Sequence, residues 1–167
     1  IVMRSKIDCL GVLVFVFFAA VSFAQSNFEV TPDIKDAYQK VMNLQLGLAQ
    51  EKVDHIKISD PNNYLVYHIE NYIDFFTVFI NEDIKEYERL LPNKNRRINK
   101  IKSANANSPY YKFVQSEILL QWLLLKSKFK GMGIGLMGEA GNLNTAYRLL
   151  EQNDQEFPDF LENKKSL

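Results

Sequence analysis

Four polar side chains interrupt two otherwise apolar segments, and their spacing could support chemistry. Glu70 and Asp74 are four residues apart in one segment, and Glu117 and Gln121 are four apart in the other. Residues at i and i+4 share one face of an α-helix. Such a polar stripe could contact a partner, lie as a solvated strip, or form a hydrogen-bonded network between helices. We predict that Glu70, Asp74, Glu117 and Gln121 form a partner-binding stripe.

Metal or nucleophilic chemistry is poorly supported by the same residues. Carboxylate-bridged metal centres in helical bundles require Glu-x-x-His pairs on two helices, but His68 lies only two residues before Glu70. The chain has a single cysteine, Cys9, and no G-x-S-x-G segment that would mark a serine nucleophile. We therefore expect no metal, no cofactor and no catalysis, although a hydrolase using an Asp/Glu pair stays open. His55 is expected at the surface, and His68 in the interior with its polar contacts satisfied.

A glycine-rich segment spells G-x-G-x-x-G between Gly133 and Gly138. In dinucleotide-binding folds this pattern follows a strand and opens a helix. Here it follows a helical segment that ends in Lys126–Lys130, and few residues remain after it. We expect a turn between two helices, and the role of the wider segment 131–141 stays open.

Charge gives no support to nucleic-acid binding. The chain carries 20 basic and 20 acidic residues, so it lacks the positive field that such binding requires. A local basic run, 94–102, contains no aromatic residue that could stack on bases. We interpret this run as a solvated helix end.

The first 24 residues have the layout of a secretory signal peptide. Arg4 and Lys6 precede an apolar run, Leu10–Val21, and small residues follow at Ser22 and Ala24. The run is too short for a typical membrane-spanning helix. We therefore predict cleavage after residue 24, export to the periplasm or cell envelope, and one mature domain, 25–167, without a transmembrane span.

The mature chain is predicted to be all-α, with about five helices. A capping residue followed by proline is a helix-start signal, and it occurs at Thr31-Pro32, Asp60-Pro61 and Ser108-Pro109. Pro92 is expected to kink or split the third helix. The second and fourth segments are apolar on most sides, which indicates helices buried between neighbours. The predicted helices run over about 32–57, 61–80, 81–102, 109–130 and 137–155.

The second and fourth segments are related by a repeat of about 47 residues. Shifting the sequence by this length aligns Glu70 with Glu117 and Asp74 with Gln121. The pattern Trp122-x2-Leu125-x3-Phe129, followed by Ala146, Leu150 and Pro158, resembles a tetratricopeptide repeat (TPR). Lys126 replaces the usual glycine, and about eight extra residues separate the two halves. The wider pattern also resembles the N-terminal part of exported bacterial TPR-like proteins. The resemblance implies antiparallel helical hairpins stacked as a short α-solenoid or bundle, and it implies no chemistry.

Three functions follow as expectations. The first is a non-catalytic cell-envelope scaffold that binds a protein or peptide in a helical groove. The second is a carrier of a small molecule or lipid, which a cavity of a few hundred Å³ between the second and fourth helices would favour. The third is a carboxylate-based enzyme. The segment 157–161 resembles the start of another helix, so we expect a truncated array whose uncapped C-terminal end could self-associate.

Overall fold

The computed structural model describes residues 28–131, 133 and 138–166. The predicted signal peptide, residues 1–24, lies outside them. The described residues contain α-helices and no β-strand, which confirms the all-α prediction. None of their helices combines the length and the apolar character needed to cross a membrane. The helices are α1 (Pro32–Met42), α2 (Leu46–Ser59), α3 (Leu65–Asn81), α4 (Ile84–Leu90), α5 (Pro92–Lys102), α6 (Pro109–Lys130), α7 (Ala140–Glu156) and α8 (Leu161–Ser166).

Two of the three predicted cap–proline starts are confirmed. The Thr31 hydroxyl accepts a hydrogen bond from the backbone N–H of Ile34 at 3.3 Å, and α1 begins at the following proline. The Ser108 hydroxyl accepts one from the N–H of Tyr110 at 3.3 Å, and α6 begins in the same way. Each side-chain oxygen satisfies a backbone donor that has no partner within the helix.

The third start, Asp60-Pro61, is wrong, because α3 begins only at Leu65. The intervening residues form a turn around the fully buried Asn63. The Asn63 amide nitrogen donates to Asp60 Oδ2 at 3.0 Å, and its oxygen accepts from the Leu65 N–H at 3.3 Å. The Asp60 carboxylate therefore accepts a hydrogen bond from the Asn63 side chain within this turn and does not cap a helix.

The predicted first helix is divided in two, because the chain turns sharply at Leu44. Leu44 has a left-handed φ of 59°. Its N–H donates to the carbonyl of Val41 at 2.9 Å, and the N–H of Gln45 donates to the carbonyl of Lys40 at 2.9 Å. This pair of bonds is a Schellman motif, which usually has glycine at the left-handed position. Leucine carries no such signal, so the sequence predicted one continuous helix.

The two resulting helices, α1 and α2, form an antiparallel hairpin. Lys52 on α2 reaches back to Asp33 at 2.9 Å and Asp36 at 3.4 Å, both near the start of α1. The turn also changes which residues face the core. Leu44 and Leu48 continue the three- and four-residue spacing of the buried Ile34, Ala37 and Val41, which predicts one apolar stripe along a single helix, but they are about half exposed, at 53% and 50%.

Pro92 splits the predicted third helix, as expected. α4 ends at Leu90, and α5 begins at Pro92 after a single intervening residue. The start of α4 lies three residues later than predicted, because Asp83 provides the cap. Its carboxylate accepts a hydrogen bond from the backbone N–H of Lys85 at 2.8 Å.

The centre of the fold is formed by α3 and α6, which run side by side in the same direction. The rings of His68 and Phe113 lie 6.0 Å apart near the start of both helices. Lys128 contacts Glu82 at 2.8 Å near their ends. Residue numbers therefore increase together along the contact. The hairpin of α1 and α2 packs against α3, and α7 packs against α6.

The last two long helices, α6 and α7, form an antiparallel hairpin. Lys112 near the start of α6 pairs with Glu156 at the end of α7. Lys126 near the end of α6 pairs with Glu139, just before α7, at 2.8 Å. The turn expected at the glycine-rich segment falls on residues 132 and 134–137, which lie outside the described part of the chain.

Candidate functional site

Glu70 and Asp74 share one face of α3, and both contact a single buried arginine. Arg97 on α5 lies 2.6 Å from Asp74 through Nη1 and 3.6 Å from Glu70 through Nε. The side chains of Arg97, Asp74 and Glu70 are 7%, 12% and 13% exposed. The helical spacing correctly placed the two carboxylates together, and the structure adds the cation between them.

The same carboxylates connect three helices. Lys57 on α2 donates to Glu70, and Asn93 on α5 donates to Asp74 at 2.7 Å. Charged groups out of water require such partners, because an unpaired buried charge is strongly unfavourable. Glu70 and Asp74 therefore hold α2 and α5 against the central helix α3.

Gln121 belongs to a second polar group, at the contact between α3 and α6. Its carbonyl oxygen accepts a hydrogen bond at 2.6 Å from the amide nitrogen of Asn71, which is fully buried. The indole N–H of Trp122 donates to the amide oxygen of Asn71 at 2.9 Å. Because an indole N–H can only donate, this contact fixes the orientation of the Asn71 amide.

Glu117 lies apart from both groups, where it accepts a hydrogen bond from the Tyr72 hydroxyl at 3.0 Å. The four residues of the predicted stripe thus occupy three environments. Glu70 and Asp74 lie together, whereas Gln121 and Glu117 have separate partners on α3. All four make contacts within the chain, and their role toward an external partner stays a prediction.

Arg97 was assigned to the solvated basic run, and this assignment is wrong. Its guanidinium is buried, while Arg96 and Lys100 on the same helix are exposed. A signal was present in the sequence, because Arg97 lies four residues before the fully buried Ile101 and therefore shares its face.

A cavity of about 420 Å³ lies between α1, α3, α6 and α8. Its volume falls within the usual range for small-molecule sites, roughly 300–1,000 Å³. Val30 and Tyr38 at its mouth are 39% and 41% exposed. Its wall includes two carboxylates, from Glu117 and Glu162. It also includes five aromatic rings, from Tyr38, His68, Tyr72, Tyr110 and Phe113.

His68 is the buried polar residue of this cavity. It is 8% exposed, and its Nε2 has no hydrogen-bond partner among the described residues. Burial lowers the pKa of His68 to about 4, because the imidazolium form would lose its hydration. The sequence correctly placed this histidine inside the protein, but the expectation of satisfied polar contacts is wrong for Nε2.

The tyrosines of the cavity are held in their neutral form. Burial raises the pKa of Tyr72, and the nearby Glu117 carboxylate raises it further. Burial also raises the pKa of Tyr38, with added contributions from Glu117 and Glu162. These effects place both carboxylates within electrostatic reach of the same phenol. The wall thus combines neutral hydroxyl groups with negative charge.

A second cavity, of about 510 Å³, lies between α4, α5 and α6 and has the opposite charge balance. Three lysines and two glutamates line it, and one of these lysines pairs with Glu139 at 2.8 Å. It contains two aromatic rings, Tyr87 and Trp122. The first cavity is therefore distinguished by its aromatic wall and by its buried histidine.

His68 predicts a measurable pH dependence of stability. Its pKa is about 4 in the folded chain, against an ordinary value of 6.5. Between these values the unfolded chain binds more protons, so the free energy of unfolding falls as the pH falls. Between about pH 7.5 and pH 5 this loss should reach about 2 kcal/mol. The charged residues that share the cavity lining, Lys35, Glu117 and Glu162, are the same in the wild type and in the His68→Gln variant, so comparing the two isolates the histidine.

The measurement is urea unfolding across that pH range for the wild type, His68→Gln and His55→Gln. His55 is exposed and serves as the matched control. We expect a flatter pH profile for His68→Gln alone. A His68→Gln profile parallel to the wild type would contradict the assigned pKa.

Within the described residues, no group of three or more His, Cys, Asp or Glu side chains is arranged to hold a metal ion. Comparison of the whole chain with known protein families, curated proteins and solved structures finds no match. The proposals below therefore depend on the geometry of the chain itself.

Proposed function

We propose that this protein binds a small organic ligand in the cavity between α1, α3 and α6, and that it does so without catalysis. The observation that carries the proposal is the cavity of about 420 Å³, which lies between the predicted second and fourth helices. Export to the periplasm or cell envelope, expected from residues 1–24, is part of the proposal.

The polar groups of the cavity support this function. A ligand site is typically an apolar cleft with a few polar groups that orient the ligand. The neutral imidazole of His68 presents at Nε2 either a donor or an acceptor, and this atom is buried without a partner in the described chain. The hydroxyl-bearing rings of Tyr38, Tyr72 and Tyr110 line the same cavity and provide its other uncharged polar groups.

A screen of small organic molecules, each with one aromatic or branched alkyl group, tests the proposal. The readout is the NMR signal of the methyl groups of Leu65 and Ile69, which line the cavity and are 4% and 2% exposed. We expect ligands that shift these signals in a saturable manner. Val30→Trp, at the mouth, should weaken their binding at least about tenfold, since the larger ring closes the entrance.

Ile58→Trp is the matched control, because Ile58 on α2 is 84% exposed and lies outside the cavity wall. It should bind the same ligands as the wild type. If no molecule in the screen shifts the signals of Leu65 or Ile69, or if Val30→Trp binds as tightly as the wild type, the proposed function is wrong.

The scaffold function is the second candidate, and the helix arrangement favours it. α6 and α7 form an antiparallel hairpin in which Ala146 and Leu150, two positions of the TPR resemblance, are buried. α3 and α6 are parallel, as equivalent helices of successive hairpins would be in a TPR-like stack. A defined protein partner recovered equally by the wild type and Val30→Trp would support the scaffold over the ligand carrier.

A further inference from the structure

The outer face of α2 carries a stripe of four residues that all remain exposed in the folded chain. They recur at spacings of three and four, which places them on one side of the helix: Leu48, Glu51, His55 and Ile58. Ile58 is 84% exposed, more than any other large apolar side chain that the structure describes. Single exposed apolar residues are common on protein surfaces, so the informative feature is the order of residue types along the stripe.

This order is symmetric about Val53. Leu48 and Ile58 lie five residues before and after it, and Glu51 and His55 lie two residues before and after it. Because a helix rises 1.5 Å per residue, the two aliphatic side chains are about 15 Å apart along α2, with the carboxylate and the imidazole between them. Reversing the helix direction therefore exchanges one aliphatic residue for the other and the carboxylate for the imidazole.

The two polar members of the stripe are available for contact. Among the described residues, neither the Glu51 carboxylate nor the His55 imidazole makes a hydrogen bond or an ion pair with another side chain. Lys52, on the same helix, is instead paired with two aspartates of α1. A groove of about 310 Å³ between α1 and α2 is lined by Glu51, His55 and Leu48. Three members of the stripe thus border space that lies outside the core.

We propose that this stripe is the contact surface for a second copy of the same chain. In a two-fold symmetric dimer the same patch is used twice, so residue i contacts residue j and j contacts i. With two α2 helices antiparallel about an axis near Val53, Leu48 packs against Ile58 of the second copy. Glu51 then faces His55 of the second copy, and the imidazole N–H donates to the carboxylate. Each pair occurs twice, and the groove beside Leu48 gives the incoming isoleucine room.

The size of the surface sets the expected strength of this contact. A stable dimer buries roughly 1,200–2,000 Å² in total, and one face of a 14-residue helix supplies less. We therefore expect reversible association with a dissociation constant of about 0.1–1 mM. Dilute chain remains a monomer. The inference is independent of the proposed ligand site, because no member of the stripe lines that cavity.

Sedimentation equilibrium of the full chain at neutral pH, at concentrations of about 0.01–1 mM, measures the association. Ile58→Asp should weaken it at least about tenfold, because each dimer loses two apolar contacts. Leu161→Asp is the matched control, since Leu161 on α8 is 63% exposed and tests the C-terminal end of the chain as the alternative contact surface. It should leave the association unchanged, and circular dichroism checks that both variants are folded.

Charge exchange tests the pairing of Glu51 with His55. His55→Glu places two carboxylates opposite each other, and Glu51→Lys places an ammonium opposite an imidazole, so each variant alone should associate several-fold more weakly. The double variant, Glu51→Lys with His55→Glu, restores opposite charges and should associate at least as tightly as the wild type. An equimolar mixture of the two single variants should form a mixed dimer for the same reason.

Four results would overturn the inference. The first is a wild-type chain that stays monomeric up to about 1 mM. The second is equal weakening by Ile58→Asp and Leu161→Asp, and the third is weakening by Leu161→Asp alone, which would place the contact at the C-terminal end. The fourth is a double charge variant that associates no better than its two single variants, because the pairing of Glu51 with His55 would then be absent.

Discussion

Replacing Arg97 by methionine should lower the free energy of unfolding by about 3–5 kcal/mol. Arg97 is the cation that Asp74 and Glu70 share, at 2.6 Å and 3.6 Å. Methionine keeps much of the side-chain volume but removes the charge, so the loss is electrostatic rather than steric. Among the described residues, Asp74 then keeps the hydrogen bond from Asn93 and its electrostatic interaction with Arg89. Urea unfolding followed by circular dichroism at neutral pH measures the change.

Arg96→Met is the matched control for this experiment. Arg96 is the adjacent residue, is exposed, and donates to the oxygen of Asn93 at 2.6 Å. Its replacement should change the free energy of unfolding by no more than about 0.5 kcal/mol. Equal midpoints for Arg97→Met and the wild type would show that the carboxylates do not need this arginine.

A triple variant separates the charge effect from any other effect of losing Arg97. Glu70→Gln and Asp74→Asn added to Arg97→Met remove the two carboxylates that the single change leaves without their shared cation. Because replacing a whole buried ionic group is much less unfavourable than breaking it, the triple variant should be more stable than Arg97→Met alone. A triple variant less stable than the single one would contradict the electrostatic explanation.

Trp122→Ala should lower the free energy of unfolding by about 3–5 kcal/mol, because it removes a large buried side chain from the core. Trp122 is 2% exposed and lies between the central helices α3 and α6. Its ring lies 5.9 Å from that of Tyr87. The change also removes the N–H donor to Asn71, which leaves a buried amide oxygen without its partner.

Two companions make the Trp122 experiment specific. Leu124→Ala is the control on the same helix; since Leu124 is 51% exposed, it should lower the free energy of unfolding by about 1 kcal/mol or less. Trp122→Phe keeps an aromatic ring but loses the indole N–H, so it should fall between the two. A Trp122→Ala variant as stable as Leu124→Ala would contradict the core position of this residue.

The sequence predicted which candidate residues share a helix face, but it did not predict their partners on other helices. The i,i+4 rule placed Glu70 and Asp74 on one face of α3, since that relation depends only on helix geometry. It could not supply Arg97, which lies 23 residues after Asp74 in the chain. Nor could it reveal that Asn71 accepts a hydrogen bond from the indole N–H of Trp122, which lies 51 residues later in the chain.

The cavity shows the same division. The sequence identified two segments that are apolar on most sides and an interior His68, and it named a cavity between the two helices as the feature that would favour a carrier. Whether aromatic rings fill a space or surround it depends on the offset between α3 and α6 and on the position of α1. Those quantities are set by packing among helices distant in sequence, so no local pattern encodes them.

The sequence by itself determined the all-α fold, the starts of α1 and α6, the split at Pro92, and the central position of the two most apolar helices. These features depend on capping, on proline and on periodicity, which act over a few residues. Only the tertiary structure decided where the chain turns at Leu44, which charges pair, and that His68 lines a cavity. Each of these features depends on contacts between segments that are distant in the chain. The free energies of those contacts exceed the small local conformational preferences that can be read from the sequence.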